Sequence, residues 1–168
     1  MVLARLVQAG CQVLTPFGEN VRYDLVIDEG DRFMRVQCKT GRMRKGVIRF
    51  NACSYTYHHP NNRGKKPYKH HYRGAADLFG VYCPETDGVY LVPVDEIGIN
   101  AGSLRVEPTL NNQVKKIRWA QEFEVGRAGL AHLVEHLFCK QEAVGSIPTP
   151  GSDLLPGRQR RLFGTGTS

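Results

Sequence analysis

Three polar residues on two consecutive strand-like segments have the types and spacing needed for chemistry on a phosphate ester. Asp24 lies in a hydrophobic run at residues 23–27, and Gln37 and Lys39 lie in a second run at residues 33–40. Side chains two apart on a strand point to the same face, so Gln37 and Lys39 project together. The polar sequence between the runs, residues 28–31, predicts a hairpin turn that brings Asp24 beside them.

A carboxylate, an amide oxygen and an ammonium group on one side of a sheet suit hydrolysis of a phosphodiester. Oxygen ligands bind hard cations such as Mg²⁺, with Mn²⁺ as an alternative, and such an ion polarises the phosphate and activates a bound water. We expect Asp24, Gln37 and the backbone carbonyl of Cys38 to hold the metal ion. The expected catalytic set is Asp24, Gln37 and Lys39, in which Lys39 orients the attacking water and offsets charge on the phosphoryl oxygens.

The spacing of Gln37 and Lys39 is a weak signal when it is taken alone, because an Asp on a strand is often an ordinary surface residue. Two observations favour the functional interpretation. The strand that carries Gln37 and Lys39 leads directly into a basic segment, and Asp24 sits in a hydrophobic strand, where a charge without a partner is unfavourable.

Positive charge is concentrated in one part of the chain. Residues 42–73 contain nine Lys or Arg and no Asp or Glu, whereas the net charge of the whole chain is +7. Such a segment attracts polyanions, of which nucleic acid is the commonest, and a solubilising loop is the alternative. The residues predicted to contact DNA are Arg42, Arg44, Lys45, Arg63, Lys65, Lys66, Lys69 and Arg73.

The basic segment also contains aromatic residues and two pairs of adjacent histidines. These aromatic residues are Phe50, Tyr55, Tyr57, Tyr68 and Tyr72; core packing is the alternative to a role in DNA binding, and it is favoured for Phe50. Arginines on a predicted turn at residues 41–46 have the chemistry to read guanine in the major groove. The histidine pairs at 58–59 and 70–71 are interpreted as solvated or close to phosphate, rather than as a metal site or a His-Asn-His nuclease.

The cysteines and the apolar runs indicate the compartment. Five cysteines without a CxxC pair predict free thiols in a reducing environment. No apolar run is long enough for a membrane span, and the first residues lack the pattern of a signal peptide. We therefore expect a cytoplasmic protein that associates with the nucleoid.

The remaining periodicities predict a small mixed domain. We expect residues 1–142 to form one domain and residues 143–168 to form a disordered tail. A helix at residues 3–9 would bury Leu3, Leu6 and Val7, and a strand at 47–52 would pair with the strand at 33–40. A loop is predicted at 58–71. Further predicted elements are strands at 78–83, 89–94 and 104–106, and helices at 94–97 and 130–140.

Several ordered blocks between residues 16 and 120 resemble the group I intron-associated endonucleases of the PD-(D/E)XK superfamily. They are PFGEN at 16–20, YDLV at 23–26, RVQCKT at 35–40, YRG at 72–74, DLF at 77–79, VYCPET at 81–86 and YLVPV at 90–94, followed by LR at 104–105 and NQ at 112–113. Together they are far more specific than the Gln-x-Lys triplet.

This resemblance implies an α/β fold with a PD-(D/E)XK, or restriction-endonuclease-like, core in which helices flank a mixed central sheet. It also implies Mg²⁺, double-stranded DNA and a homodimer or homotetramer. Asp24 matches the metal-binding aspartate of the motif, Gln37 takes the (D/E) position and Lys39 matches the catalytic lysine. Such nucleases usually carry a Glu in their first helix, and no acidic residue precedes Glu19 here.

Three functions are therefore expected as alternatives. The first is a Mg²⁺-dependent endonuclease acting on double-stranded DNA, including the homing type. The second is a DNA-binding module of the same fold that cuts poorly because the helix Glu is absent. The third is a nuclease resembling a Holliday junction resolvase, which would prefer four-way junctions to linear duplex.

Overall fold

The computed structural model describes residues 1–18, 20–56, 67–108 and 117–126. The described elements in chain order are α1 (Val2–Gln8), β1 (Gln12–Leu14), β2 (Leu25–Asp28), β3 (Phe33–Thr40), β4 (Arg42–Arg44), β5 (Val47–Asn51), β6 (Cys53–Thr56), β7 (Tyr68–His71), β8 (Leu78–Cys83), β9 (Gly88–Pro93) and β10 (Ala101–Arg105). Short 3₁₀ helices lie at Val94–Glu96, between β9 and β10, and at Ala120–Glu122, after β10.

The central sheet is mixed and has five strands in the order β1-β2-β3-β8-β9. β3 and β8 are parallel, and the other neighbours are antiparallel. β8 and β9 are almost entirely buried, which explains why they read as continuous hydrophobic runs rather than alternating ones. The outer edge of β9 is covered by the segment that contains Phe123 and Val125. The backbone N–H of Leu91 donates to the carbonyl of Phe123, and the backbone N–H of Val125 donates to the carbonyl of Val89.

The predicted N-terminal helix is present as α1, but of the three residues predicted for its apolar face only Leu6 is buried. Val2 and Leu6 are buried, whereas Leu3 is 42% exposed and Val7 is 56% exposed. A Cβ atom on Gly80 would lie 2.8 Å from a methyl group of Val2, so the glycine on β8 allows the helix to pack closely on this face of the sheet. The helix has large apolar residues at Val2, Leu3, Leu6 and Val7, so more than one of its faces is apolar. Packing against the sheet buries the face that contains Val2 and Leu6.

The strand predicted at 47–52 does not extend the central sheet, which corrects the predicted pairing. β5 instead lies between β4 and β10 in a separate three-stranded sheet. The chain passes from β3 to β4 through Gly41, where a Cβ atom would lie 2.6 Å from Ile48 and 3.0 Å from Val81. Most of the predicted basic turn is therefore strand, and the turn itself is Lys45-Gly46, with φ values of 51° and 69°.

Part of the predicted loop at 58–71 is also a strand. β7 pairs antiparallel with β6, and its residues are mostly exposed, so no apolar alternation marked it in the sequence. Phe50, on β5, is buried as predicted and packs edge-on against Phe79 of the central sheet, with ring centroids 5.6 Å apart. The smaller sheets thus contribute to the core on the face opposite α1.

Some predictions lie outside the described residues. They are the helix at 130–140, the tail at 143–168, the histidines at 58–59 and the DNA contacts of Arg63, Lys65 and Lys66. Within the described ranges, no helix has both the length and the apolar character required to cross a membrane.

An ion pair locks the parallel strands β3 and β8 together at their N-terminal ends. The Arg35 guanidinium donates to both carboxylate oxygens of Asp77, at 2.7 Å and 3.0 Å, and the backbone N–H of Arg35 also donates to Asp77. Burial alone would raise the pKa of Asp77, but the hydrogen bonds and charge of Arg35 outweigh it and hold that pKa below its ordinary value of 3.8. Because the pKa of Asp77 is lowered in the folded protein, the pair stabilises the fold fully at pH values above the ordinary pKa. This stabilisation is lost as the pH falls through the lowered pKa of the folded protein.

We expect Asp77→Asn to lower the free energy of unfolding at pH 7 by about 1–2 kcal/mol, a value reduced because both side chains are partly exposed. Urea unfolding at pH 7 and at about pH 3 checks this, and the difference from the wild type should shrink at the lower pH. Asp87→Asn is the control, because Asp87 forms an exposed pair with Arg5 and should matter little. An equal difference at both pH values would contradict the assignment to charge.

Candidate active site

The candidate site forms where β3 continues beyond the end of β2. Asp24 immediately precedes β2, and its backbone N–H donates to Val36 at 2.9 Å. Further along β3, a side chain replaces the backbone acceptor of a neighbouring strand: the backbone N–H of Cys38 donates to Oδ2 of Asp24 at 2.7 Å. The Asp24 carboxylate is therefore fixed against the backbone of β3, although the residue is exposed.

Gln37 connects the carboxylate to a backbone oxygen. Its Nε2 donates to Oδ2 of Asp24, and it also lies 3.3 Å from the carbonyl oxygen of Cys38. One amide group thus lies between a carboxylate oxygen and a carbonyl oxygen. Both of these oxygens are acceptors without a proton, and their convergence on one point is the arrangement that a cation would favour.

Lys39 lies on the same face of the sheet as Gln37 and is half-buried. Gln37 is opposite Phe79 in the β3–β8 ladder, and Phe79 packs edge-on against Tyr72, with ring centroids 5.7 Å apart. The Lys39 ammonium donates to the Tyr72 hydroxyl at 3.0 Å and lies 4.3 Å from the centre of the Tyr72 ring. The structure therefore brings Asp24, Gln37 and Lys39 to one face at the end of β2.

Arg22 belongs to this neighbourhood and was not identified from the sequence. Its guanidinium lies 4.8 Å from the centre of the Tyr72 ring and donates to Oγ of Ser54 and to the carbonyl of His70. Arg22 lies two residues before Asp24 in a segment of bends that precedes β2, where the alternation of a strand does not predict which way a side chain points. The contact with Tyr72 joins residues 50 positions apart, and no local pattern predicts it.

Cys38 points its thiol to the opposite face, as expected, while its carbonyl faces the site. The thiol shares a shallow cavity with Val2 and Leu25 on the α1 side of the sheet. Burial, with a further contribution from the charge of Asp24, raises the pKa of the Cys38 thiol to about 11. The thiol is therefore protonated at neutral pH, and only the backbone oxygen of Cys38 is suited to bind a hard cation.

The predicted DNA-contacting residues of the described part occupy two places. Arg44 and Lys45 are exposed at the tip of the β4–β5 hairpin. Arg42 lies further back, on β4, and its guanidinium is 3.8 Å from the carboxylate of Glu85. Arg42 is thus partly neutralised, while the hairpin tip presents its charge to solvent.

Lys69 lies on β7, and Arg73 follows that strand in the chain. The Lys69 ammonium donates to the side chain of Asn100 at 3.3 Å and lies 5.8 Å from the Tyr55 ring. Arg73 donates to the carbonyl of Ile97 at 3.4 Å and is 4.0 Å from the carboxylate of Asp95. Both residues are exposed, and their side chains are held at the surface by these contacts.

The oxygen atoms that could bind a metal ion at this site fit Mg²⁺ better than Zn²⁺. The described residues contain no group of three or more His, Cys, Asp or Glu side chains that could hold a metal ion. The site offers one carboxylate, one carbonyl oxygen and, if the terminal amide of Gln37 turns over, one amide oxygen. Mg²⁺ is typically bound through one or two carboxylates together with the phosphates of its substrate, so this small set of oxygens fits it.

The comparison with known protein families identifies the class of this protein. A family model described as PD-(D/E)XK endonuclease matches residues 1–126, and the chain belongs to that family. Its function is accordingly that of a nuclease. The predicted PD-(D/E)XK family and the predicted α/β fold with a mixed central sheet are both confirmed.

One solved structure resembles the chain over most of its length. It is the bacterial homing endonuclease I-Ssp6803I, with a TM-score of 0.57 and 19% sequence identity over 86% of this chain and 90% of that chain. At that identity the likeness supports the fold. No curated protein matches the sequence.

Proposed function

We propose that the chain is a Mg²⁺-dependent endonuclease of the homing type that hydrolyses phosphodiester bonds in double-stranded DNA. The observation that carries this proposal is the convergence of the Asp24 carboxylate and the Cys38 carbonyl on the terminal amide of Gln37, with Lys39 on the same face. Membership of the endonuclease family and the fold shared with a homing endonuclease support it.

In this proposal, Asp24, Gln37 and the carbonyl of Cys38 hold the metal ion. The ion, when bound, polarises the scissile phosphate and lowers the pKa of a coordinated water. Asp24 supplies the only negative charge among these three ligands, and it is held in place by the backbone N–H of Cys38. Gln37 contributes a neutral oxygen, so affinity for the ion is expected to depend on additional oxygens from the DNA phosphate.

Lys39 acts on the reacting phosphate rather than on the metal. Its ammonium is held at the edge of the site by Tyr72, and it has three N–H donors and no acceptor. In the proposed mechanism it donates to the attacking water or to a phosphoryl oxygen and offsets the negative charge that develops there. The neighbouring guanidinium of Arg22 adds positive charge on the same side and favours approach of the DNA backbone.

The proposed substrate favours a symmetric oligomer. One site of this kind hydrolyses one strand at a time, and the two strands of a duplex are antiparallel, so two sites related by a two-fold axis match a cut in both strands. We therefore propose a homodimer, or a homotetramer built from such dimers. Light scattering coupled to size-exclusion chromatography measures the mass in solution.

Cleavage of supercoiled plasmid tests the proposed function. Purified protein should nick or linearise plasmid with Mg²⁺ or Mn²⁺ and should leave it intact with EDTA. Plasmid that stays intact with every divalent ion, while duplex DNA is still bound, would favour the second candidate, a DNA-binding module that cuts poorly. That candidate is supported by the single carboxylate at the described site. Preferential cutting of four-way junctions would favour a resolvase.

The exposed cations at the hairpin tip give a prediction about salt. Duplex affinity should fall steeply between low and physiological salt, because cations that bind phosphates release counterions. In the variant Arg44→Gln/Lys45→Gln, the slope of log affinity against log salt should be shallower by about 2. Fluorescence anisotropy at several salt concentrations, with Ca²⁺ in place of Mg²⁺, measures both slopes.

The control for this salt experiment is Arg5→Gln. Arg5 lies on α1, on the opposite face of the sheet from Gln37 and Lys39, and is paired with Asp87. The substitution Arg5→Gln removes one positive charge without altering the proposed DNA surface. The slope of log affinity against log salt for this variant should therefore equal that of the wild type. Equal slopes for all three proteins would contradict a phosphate role for the hairpin tip.

A further inference from the structure

We propose that Tyr72 is a positioning residue for Lys39, holding its ammonium at the point where the scissile phosphate binds. This inference rests on the nuclease function proposed above and assigns a role to a side chain outside the metal-binding set. Tyr72 lies in the basic segment, but its contacts are with the candidate active site.

The contact between the two side chains has two components. The ammonium lies 3.0 Å from the Tyr72 hydroxyl, and since lysine has no acceptor, the hydroxyl accepts this hydrogen bond. The same ammonium lies 4.3 Å from the ring centre, within the range of a cation–π contact. A lysine side chain has four rotatable bonds, and these two contacts fix where its charged end lies relative to Asp24 and Gln37.

Tyr72 is itself rigid enough to serve as an anchor. It is 6% exposed, and its ring packs edge-on against Phe79 at an interplanar angle of 85°. Its backbone carbonyl accepts hydrogen bonds from the N–H groups of Ala75 and Ala76, at 2.9 Å and 3.0 Å. The hydroxyl is therefore placed by the core of the protein and not by the flexible lysine that it contacts.

Arg22 secures the ring from the side of the β6–β7 hairpin. Its guanidinium lies 4.8 Å from the ring centre while it donates to Ser54 on β6 and to His70 on β7. Tyr72 directly follows β7 in the chain. The β6–β7 strand pair and the ammonium of Lys39 are thus joined through one aromatic ring, and this links the position of β7, which carries the predicted DNA contact Lys69, to that of the catalytic group.

A purely structural role for Tyr72 makes a different prediction. If the residue only fills the core, loss of the hydroxyl changes stability and leaves the cleavage step unaltered. If it positions Lys39, loss of the hydroxyl slows cleavage at saturating DNA and leaves DNA affinity unchanged. Tyr72→Phe separates the two roles because it keeps the ring and removes only the hydroxyl.

The first measurement is the single-turnover cleavage rate at saturating DNA with Mg²⁺. We expect Tyr72→Phe to lower this rate by roughly 10- to 100-fold, as for a displaced catalytic group. Its DNA affinity, measured with Ca²⁺, should equal that of the wild type. Tyr90→Phe is the matched control, because Tyr90 is also buried and shares a hydroxyl hydrogen bond, with Thr86 at 2.9 Å. It should cleave at the wild-type rate.

The second measurement does not depend on cleavage. The NMR signals of the Lys39 side chain, identified by their absence in Lys39→Met, should be shifted by the Tyr72 ring in the protein without DNA or metal. They should move toward the values of exposed lysines in Tyr72→Phe and stay in place in Tyr90→Phe. An unchanged cleavage rate or an unchanged Lys39 signal in Tyr72→Phe would overturn the positioning role.

Failure of the proposed function would be recognised separately. A wild-type protein that cleaves no DNA with any divalent ion would refute the nuclease activity and with it the catalytic purpose of the contact. The Lys39 signal would then still report whether Tyr72 holds the ammonium. A loss of DNA affinity in Tyr72→Phe would instead make Tyr72 a DNA contact and would overturn the inference.

Discussion

Replacement of Asp24 by asparagine is expected to lower the rate of DNA cleavage by at least about 10³-fold, because it removes the only charged ligand proposed for the metal ion. The asparagine oxygen can still accept the hydrogen bond that the backbone N–H of Cys38 donates to Asp24, so the fold should be retained. The loss should therefore fall on metal binding and on the chemical step. Single-turnover cleavage with Mg²⁺ measures the rate, and thermal unfolding checks the fold.

Asp28→Asn provides the matched control. Asp28 is the last residue of β2, the strand that Asp24 precedes, and its side chain accepts a hydrogen bond from the backbone N–H of Gly30 in the β2–β3 turn at 2.8 Å. The asparagine keeps an oxygen that can accept the hydrogen bond from Gly30. Like Asp24→Asn, the substitution removes one negative charge, but at a place remote from Gln37. Asp28→Asn should cleave at close to the wild-type rate. Equal activity of the Asp24 variant and this control would exclude Asp24 as a required metal ligand.

The second large effect is expected for Lys39→Met, which keeps most of the side-chain length and removes the ammonium. We expect the single-turnover rate to fall by about 10²–10³-fold, the range seen when one donor to a developing negative charge is removed. Duplex affinity with Ca²⁺ should change little, because the exposed cations elsewhere on the surface remain. Lys39→Met therefore tests the chemical role of the ammonium rather than its contribution to binding.

Lys69→Met is a fitting control, because Lys69 also has an oxygen partner, Asn100, and a nearby tyrosine ring, Tyr55. Removal of this charge should weaken DNA affinity and make its salt dependence shallower, with little effect on the rate at saturation. If Lys39→Met and Lys69→Met behave alike in both measurements, Lys39 is one more phosphate contact and the proposed catalytic role is wrong.

The central features of the site were accessible from the sequence because they depend on local rules. Alternation along a strand placed Gln37 and Lys39 on one face, and a polar turn between two apolar runs placed Asp24 beside them. The structure brings these three side chains together. The strands predicted at 78–83 and 89–94 were also clear and correspond to β8 and β9, since buried strands form continuous apolar runs.

The errors arose where packing between distant segments decides the structure. The chain leaves the central sheet at Gly41, where the lack of a side chain lets Ile48 of β5 and Val81 of β8 pack closely against the backbone. The face of α1 depends on the close approach of Val2 to Gly80. Neither contact has a signal in the periodicity of its own segment.

The surroundings of Lys39 were missed for a related reason. Tyr72 was noticed as part of the block YRG at 72–74 and as one of several aromatic residues in a basic segment, for which a role in DNA binding and core packing both remained open. In the structure its ring packs into the core while its hydroxyl contacts Lys39. A residue that serves both purposes cannot be distinguished by composition, because the contact links positions 33 residues apart.

The most direct test of the proposed metal site is the position of the ion itself. In crystals of the protein with duplex DNA and Mn²⁺, anomalous scattering should place one ion about 2.1 Å from a carboxylate oxygen of Asp24. The carbonyl oxygen of Cys38 and the amide oxygen of Gln37 should complete the protein ligands, with a DNA phosphate beside them. An ion bound elsewhere, in crystals whose DNA has been cut, would contradict the assignment of this site.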